Sequence, residues 1–418
     1  AHQVEGGIVN DWQAFEATPG TVHGGDTSAI AVDHFRRYDA DFALAAGMGH
    51  NAHRLSLEWA RLEPERGRYD PAAVAHYRAV LASLRRHGLT PMVTLHHFTN
   101  PQWVADQGGW LADRTIEDFA RYAAFAGSAF GADVGWWVTI NEPNVYAFQA
   151  YDDGVWPPQR RNRAEALRVM ANLARAHARA YHALHEAGPA RVGVAQHVAV
   201  FEPYCPLNPI DHLKVRFVDD VFNRAFLRAI TTDELRFEVP GVPGVRGREP
   251  LASRGAVDFL GVNYYTRWLY KAFGTPDRVT RADAPQNDLG WEIYPEGLYR
   301  ALALADGYTR LPDGRRVPLV VTENGMDDRT GDRRPDFLVR HLEQVARAIA
   351  DGLDVRGYMH WTLMDNFEWH EGYAPRFGLY RVDRENDLRR VPTPAVAAYR
   401  AIAEANAIPA ALRTSGAR

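Results

Sequence analysis

Seven short runs rich in β-branched and aromatic residues, separated by longer stretches with helical spacing of their apolar positions, leave this chain few folds to choose from. The strand-like runs are NAHRLSLEW (51–59), TPMVTLHHF (90–98), DVGWWVTIN (133–141), ARVGVAQHVAV (190–200), VDFLGVNYY (257–265), VPLVVTEN (317–324) and VRGYMHWTL (355–363). Amphipathic patterns cover 34–47, 71–88, 114–130, 163–187, 212–230, 334–352 and 393–407, several opening after Asp, Thr or Pro. Near-continuous apolar strands alternating with helices make an α/β protein, either a closed (β/α)8 TIM barrel or a doubly wound open sheet. No GxGxxG turn follows an early strand and no GxxxxGK[ST] loop occurs, so the nucleotide sites of open sheets are missing. Polar and aromatic residues instead crowd the C-terminal ends of nearly every run, where a barrel builds its site. No linker, repeat or low-complexity run divides the chain, so the expectation is one (β/α)8 barrel domain over 1–418.

Seven strands are one short of closure. The first strand is expected before Gln3, and a chain that starts at Ala1 without methionine reads as truncated, or missing that strand, at the N-terminus. Such a gap would leave two exposed sheet edges able to pair with a second chain, which keeps a homo-oligomer open. Segments 201–212, 239–254 and 271–294, rich in Pro, Gly and Asp, read as surface loops.

With 46% hydrophobic and 24% charged residues the chain is of ordinary globular composition. Its 48 basic and 52 acidic residues leave a formal charge of −4, which gives no electrostatic reason to expect nucleic acid or an anionic membrane and points to a small neutral ligand. No run approaches the ~18 apolar residues of a membrane helix and no signal peptide opens the chain, so it reads as cytoplasmic. The single cysteine, Cys205, excludes an internal disulfide or a thiolate metal cluster and reads as a half-buried small apolar residue.

Two glutamates stand out by position. Glu142 follows the run 133–141 in TINEPN, and Glu323 ends the run 317–322 in VVTENG. A lone glutamate at a strand end is commonly a cap or an ion-pair partner. Two that face one cleft are the minimum equipment for breaking a glycosidic bond, one as proton donor and the other as nucleophile or base. The neighbouring His96 and His97 have no partner at zinc spacing and no HExxH occurs, so neither metal nor cofactor is expected. Trp59, Trp136 and Trp137 read as core.

These motifs, together with QVEGG, HRLSLEW, TLHHF, DFLGVNYYTR and MDNFEWHEGYAPRFGLY, resemble glycoside hydrolase family one, the β-glucosidase family, from Gln3 to beyond Tyr380. The resemblance implies a (β/α)8 barrel that hydrolyses terminal β-D-glycosides with retention through a covalent glycosyl-enzyme, Glu142 as acid/base and Glu323 as nucleophile. It implies that Arg54 and Tyr265 contact the nucleophile, Asn141 binds the sugar 2-hydroxyl and Asn263 sits toward the leaving group. Gln3, His97, Glu368 and Trp369 match the partners of the 3-, 4- and 6-hydroxyls, and Trp361 matches the aromatic platform under the sugar. Two carboxylates in this role should converge to about 5 Å across one sugar.

Glucosides are the expected substrates, with galactosides and fucosides as extras. Glu368, and Pro375 and Phe377 where the family's phosphoglycosidases carry a lysine and a tyrosine, favour an unphosphorylated sugar. His2 and Phe98 depart from the family's usual aromatics beside sugar contacts, and a compact 231–256 would leave the leaving-group rim open unless 271–294 fills it. Two alternatives remain open: a transglycosylase using the same site, and a catalytically silent sugar-binding barrel.

Overall fold

The structure is a computed structural model that describes residues 1–251, 255–274 and 276–413. Seven strands form its main sheet: β1 (Ala52–Ser56), β2 (Thr90–His96), β3 (Trp136–Asn141), β4 (Val192–His197), β5 (Phe259–Tyr264), β6 (Leu319–Asn324) and β7 (Val355–Tyr358). Each pairs in parallel with its neighbour in sequence, from β1 to β7 without reversal. A doubly wound sheet would reverse its strand order at a switch point, so this is the order of a (β/α)8 barrel. The helices Pro71–Arg86, Arg114–Phe130, Arg163–Ala187, Glu296–Asp306 and Arg334–Ala350 are crossovers between successive strands, helical turns from Pro209 to Thr232 lie between β4 and β5, and His34–Gly47 precedes β1. None among the described residues is long and apolar enough to cross a membrane.

Alternation along each strand sends apolar side chains to two different places. Met92, Val138, Ala195, Phe259 and Val320 meet inside the barrel, with Trp136 and Met359 against them, and floor the site. Outward-facing Val93, Trp137, Val194, Leu260, Leu319 and Val321 join the much larger core under the helices. Between the edges of β1 and β7 lies a cavity of about 870 Å³, lined by Ala52 and Arg54 on one side and Gly357 and Tyr358 on the other. It continues up to Gln3, His97 and Trp361. Residues 1–51 form no strand; Gln3 lies in a short helix, His2–Glu5, and the terminal amine of Ala1 donates to the Ser56 hydroxyl at the end of β1.

Several expectations need correction. The run 190–200 is two strands, because β4 stops at His197 and Val200–Pro203 pairs instead with Arg267–Tyr270. The helix expected over 212–230 starts at Pro209 and is interrupted by a π-helical turn, Asp220–Arg224. Asn223 in that turn exchanges hydrogen bonds with the backbone of Ala199, replacing a helical partner with a contact to the loop after β4. Segment 239–254 is not only loop: Glu234–Val239 and Val242–Arg248 form a hairpin around Pro240-Gly241, with Leu235 and Phe237 buried. The loop positions 252–254 and 275 lie outside the described residues. Cys205 is exposed, not half-buried, since it falls on the turn that carries the chain from one small strand into the next helix.

Phe259 is fully buried and meets Trp136 edge-on at 4.9 Å between ring centres. Phe259→Ala should cost about 3–5 kcal/mol of folding stability, read as a lowered denaturation midpoint at unchanged denaturant slope.

Candidate active site

Apart from Gln3, in the short helix His2–Glu5, the site residues come from a barrel strand or from the loop beyond its C-terminal end, which is how one cleft collects side chains from far-separated segments. Arg54 is in β1, His97 follows β2, and Asn141 and Glu142 end and follow β3. Asn263 is in β5 with Tyr265 beyond it, Glu323 is in β6, and Trp361, Glu368 and Trp369 follow β7. Both glutamates sit at a slip in strand register. Opposite β4, β3 advances from Val138 to Asn141 while its partner advances from Gly193 to Ala195, one residue fewer. Opposite β5, β6 advances from Val321 to Glu323 while its partner advances only from Val262 to Asn263. A bulge of this kind re-aims the next side chain, which turns Asn141 and Glu323 into the cleft.

Backbone strain gathers here as well. Phe98, Glu142 and Trp369 hold left-handed φ values of 71°, 42° and 55°. Each such residue costs on the order of 1–2 kcal/mol, which the surrounding packing must supply. Glu142 makes the turn from β3 into the helix Pro143–Tyr151. The glycine of VVTENG has a steric reason: a Cβ on Gly325 would run into the carbonyl oxygen of Trp361.

The hydrogen bonds start from Arg54. Its guanidinium pairs with Glu323 Oε1, with side chains 8% and 5% exposed, and also donates to Asn141 Oδ1 at 2.6 Å, Thr94 Oγ1 at 3.2 Å and the Thr322 carbonyl at 3.3 Å. Tyr265 donates to the other oxygen, Glu323 Oε2, at 2.7 Å. Both oxygens of Glu323 are therefore held by donors, the environment of an ionised carboxylate. Asn263 donates from Nδ2 to Asn141 Oδ1 at 3.1 Å and to Glu142 Oε1 at 2.9 Å, and its own Oδ1 accepts from Thr322 at 2.6 Å. His197 Nδ1 reaches the same Oε1 of Glu142 at 3.0 Å.

Burial pushes Glu323 up from its ordinary carboxylate value; Arg54 opposes that, the Glu142 charge adds to it, and Tyr265 pulls back. Glu368 is pushed up to about 8, first by burial and then by the Glu323 carboxylate, so at neutral pH it is mostly protonated and can donate to a hydroxyl. Burial holds His97 well below the usual histidine range, hence neutral. Its Nε2 lies 3.2 Å from Asn141 Nδ2 and therefore accepts.

An aromatic wall completes the cleft. Trp369 packs on His97 at 5.8 Å, and behind it stand His2, near-parallel at 5.9 Å, and Phe98 at 5.1 Å. The two unusual positions thus both back Trp369. Gln3 donates to Asn366 at 3.1 Å, beside Phe367 and Glu368. Segment 271–294 does reach the site, placing Trp291 5.9 Å from Tyr265 and 6.2 Å from Phe377. All eleven residues singled out in the sequence line this one cleft, while Trp59 and Trp137 are core and His96 is buried against Asn100. His197, Thr322 and Trp291 went unrecognised. His197 lay inside a run that looked like one continuous strand, so the signal that it marks a strand end was hidden.

The family model described as Glycosyl hydrolase family 1 matches residues 1–408. Beta-glucosidase A of Thermotoga maritima is 34% identical over 420 residues, 94% of this chain and 92% of that protein. A beta-galactosidase of Sulfolobus acidocaldarius is 31% identical, over 96% and 90%. Among solved structures, the family 1 β-glucosidase from Thermotoga maritima superposes with a TM-score of 0.89 at 30% identity, covering 98% of this chain and 96% of that one. The same enzyme in complex with deoxynojirimycin gives 0.88, with the same coverage.

The raised Glu323 bears on pH dependence. A carboxylate that acts as a nucleophile must be ionised, so with Glu323 in that role activity falls as pH drops through its value, and the acidic limb of kcat/KM is expected above the ordinary carboxylate value of 4.5. Tyr265→Phe removes a donor to the ionised form and should move that limb upward by roughly one pH unit, measured on an aryl β-glucoside.

Proposed function

This chain belongs to glycosyl hydrolase family 1 and is a retaining O-glycoside hydrolase of the β-glucosidase type, and from that premise we propose that Glu323 is its nucleophile and Glu142 its acid/base, within one catalytic domain. The observation that carries the assignment is the unequal treatment of two neighbouring carboxyls. Glu323 has a donor on each oxygen, including a guanidinium, whereas both hydrogen bonds to Glu142 converge on Oε1 and leave Oε2 to meet a ligand. Environments that differ in this way assign acid and base roles.

In the first step Glu323 attacks the anomeric carbon while Glu142 passes its proton to the glycosidic oxygen, releasing the alcohol and leaving a glycosyl ester. Glu142, now a carboxylate, takes a proton from water as the water attacks the same carbon. The sugar leaves with its configuration retained and both glutamates return to their starting states. Asn141, held by Arg54 and Asn263, is placed for the 2-hydroxyl, a bond that tightens as the oxocarbenium-like transition state forms.

The substrate we propose is a terminal β-D-glucoside, with β-galactosides and β-fucosides also accepted; the names of the relatives support the glucoside and galactoside part of that range. A 6-phospho-beta-galactosidase of Lacticaseibacillus casei is also similar, at 29% identity. An unphosphorylated sugar is nevertheless favoured, because Pro375 and Phe377 offer a phosphate neither charge nor a side-chain donor. A cytoplasmic setting is supported by the exposed thiol of a chain with one cysteine.

Glu323→Ala should lower turnover by several orders of magnitude, with azide restoring it as the α-glycosyl azide formed from the vacated face; activity near wild type in that variant would overturn the assignment. Glu142→Gln should slow alkyl glucosides far more than nitrophenyl glucosides, which need little protonation to depart. Steady-state rates across both substrate types read this difference.

A further inference from the structure

We propose that His197 is a positioning residue for the proton donor: through Nδ1–H it holds Glu142 Oε1 as an acceptor, so that the catalytic proton resides on Oε2, facing the leaving group. This inference rests on the reading of Glu142 as acid/base and adds a residue that the sequence motifs do not contain.

The proton inventory of Arg54 is certain. It only donates, so the Asn141 atom 2.6 Å from it is the amide oxygen. The Asn263 atom bonded to that oxygen is therefore the amide nitrogen, and the Thr322 hydroxyl is free to donate to Asn263 Oδ1. The same nitrogen reaches Glu142 Oε1 at 2.9 Å. Oε1 thus receives a donor whether Glu142 is acid or carboxylate. An oxygen that bears a proton is the poorer acceptor, so the proton of the acid form goes to Oε2. His197 Nδ1, 3.0 Å from Oε1, adds a second donor in its Nδ1–H tautomer and strengthens that bias.

The imidazole is itself held between two rings, and the His197 backbone is tied down beside it. Its ring stacks on Tyr265 at 5.8 Å with an interplanar angle of 15°, and Phe222 of the π-helical turn meets it edge-on at 5.8 Å. Asn144, two residues after Glu142, donates to the carbonyls of both His197 and Phe222 at 2.9 Å. The irregular turn thereby has a purpose: it delivers Phe222 and the Asn144 link that set the histidine against the acid. Tyr265 in turn holds Glu323, so one stacked pair of rings touches both catalytic carboxyls.

A residue that only packs would affect all substrates alike when replaced. One that directs the proton affects most those whose leaving group must be protonated. His197→Phe keeps a ring between Tyr265 and Phe222 and deletes the donor. Its loss in kcat/KM, measured on β-glucosides spanning dinitrophenyl, nitrophenyl and alkyl leaving groups, should be roughly tenfold greater for the alkyl than for the dinitrophenyl substrate. His197→Asn, which returns a short N–H donor, should recover part of that difference. A uniform loss across the series, or no loss, overturns the proposal. Should His197→Phe not fold, His197→Leu against His197→Asn carries the same comparison. Glu142→Ala with azide separates this from the reading beneath it. Formation of β-glycosyl azide upholds Glu142 as acid/base, so a flat His197 series would then sink the histidine role alone. Absence of that product would sink both.

Discussion

A buried guanidinium among the strand ends, above the apolar floor of the barrel, organises this site. Removing Arg54 and Glu323 from water costs several kcal/mol per ion, and such a pair persists only when further hydrogen bonds satisfy the remaining donors and lone pairs. Thr94, Asn141 and the Thr322 carbonyl do so for the arginine, and Tyr265 does so for the glutamate. Because arginine never accepts and never loses its proton in this range, the direction of each bond onward from it is set, through Asn141 and Asn263 to Glu142. Glu323 and Glu142 are thereby tied to one cation, the first by charge and the second through two amides.

That network needs its members at one height in the barrel, and regular strands would not supply it. Alternation alone would send one of every two adjacent residues outward, yet Asn141 with Glu142 and Thr322 with Glu323 all take part. The register slips in β3 and β6 and the left-handed turn at Glu142 resolve the conflict. The apolar floor of Met92, Val138, Ala195, Phe259 and Val320 stiffens the layer from below. Strain at the rim is thus supported by close packing under it, as expected where side-chain aim matters more than local stability.

The sugar side and the leaving-group side are built differently. Toward the sugar, Trp369 is packed between His97 and a second layer of His2 and Phe98, while Glu368 is kept protonated by burial, so rigid faces and neutral hydrogen-bonding groups prevail. Toward Glu142, the histidine at the end of β4, the π-helical turn and Asn144 form a smaller polar and aromatic support.

Periodicity alone marked an α/β chain with seven strand-like runs, because a strand buried on both faces must be apolar throughout and each crossover helix must be amphipathic; the sequential parallel order came from the structure. Position at strand ends singled out the two glutamates in TINEPN and VVTENG, and the other site residues came from the resemblance to glycoside hydrolase family one. Tertiary structure decided the rest. Whether 190–200 was one strand or two depended on Arg267–Tyr270, a partner far along the chain that captures Val200–Pro203 and leaves His197 at a strand end. The π-helical turn depended on Asn223 finding the backbone of Ala199, and the hairpin Glu234–Arg248 on apolar packing that outweighs its Pro-Gly composition. Local sequence encodes which residues prefer a strand, a helix or a turn; which oxygen of Glu142 bears the proton is set by groups that meet only when the sheet curls, and no spacing along the chain records that meeting.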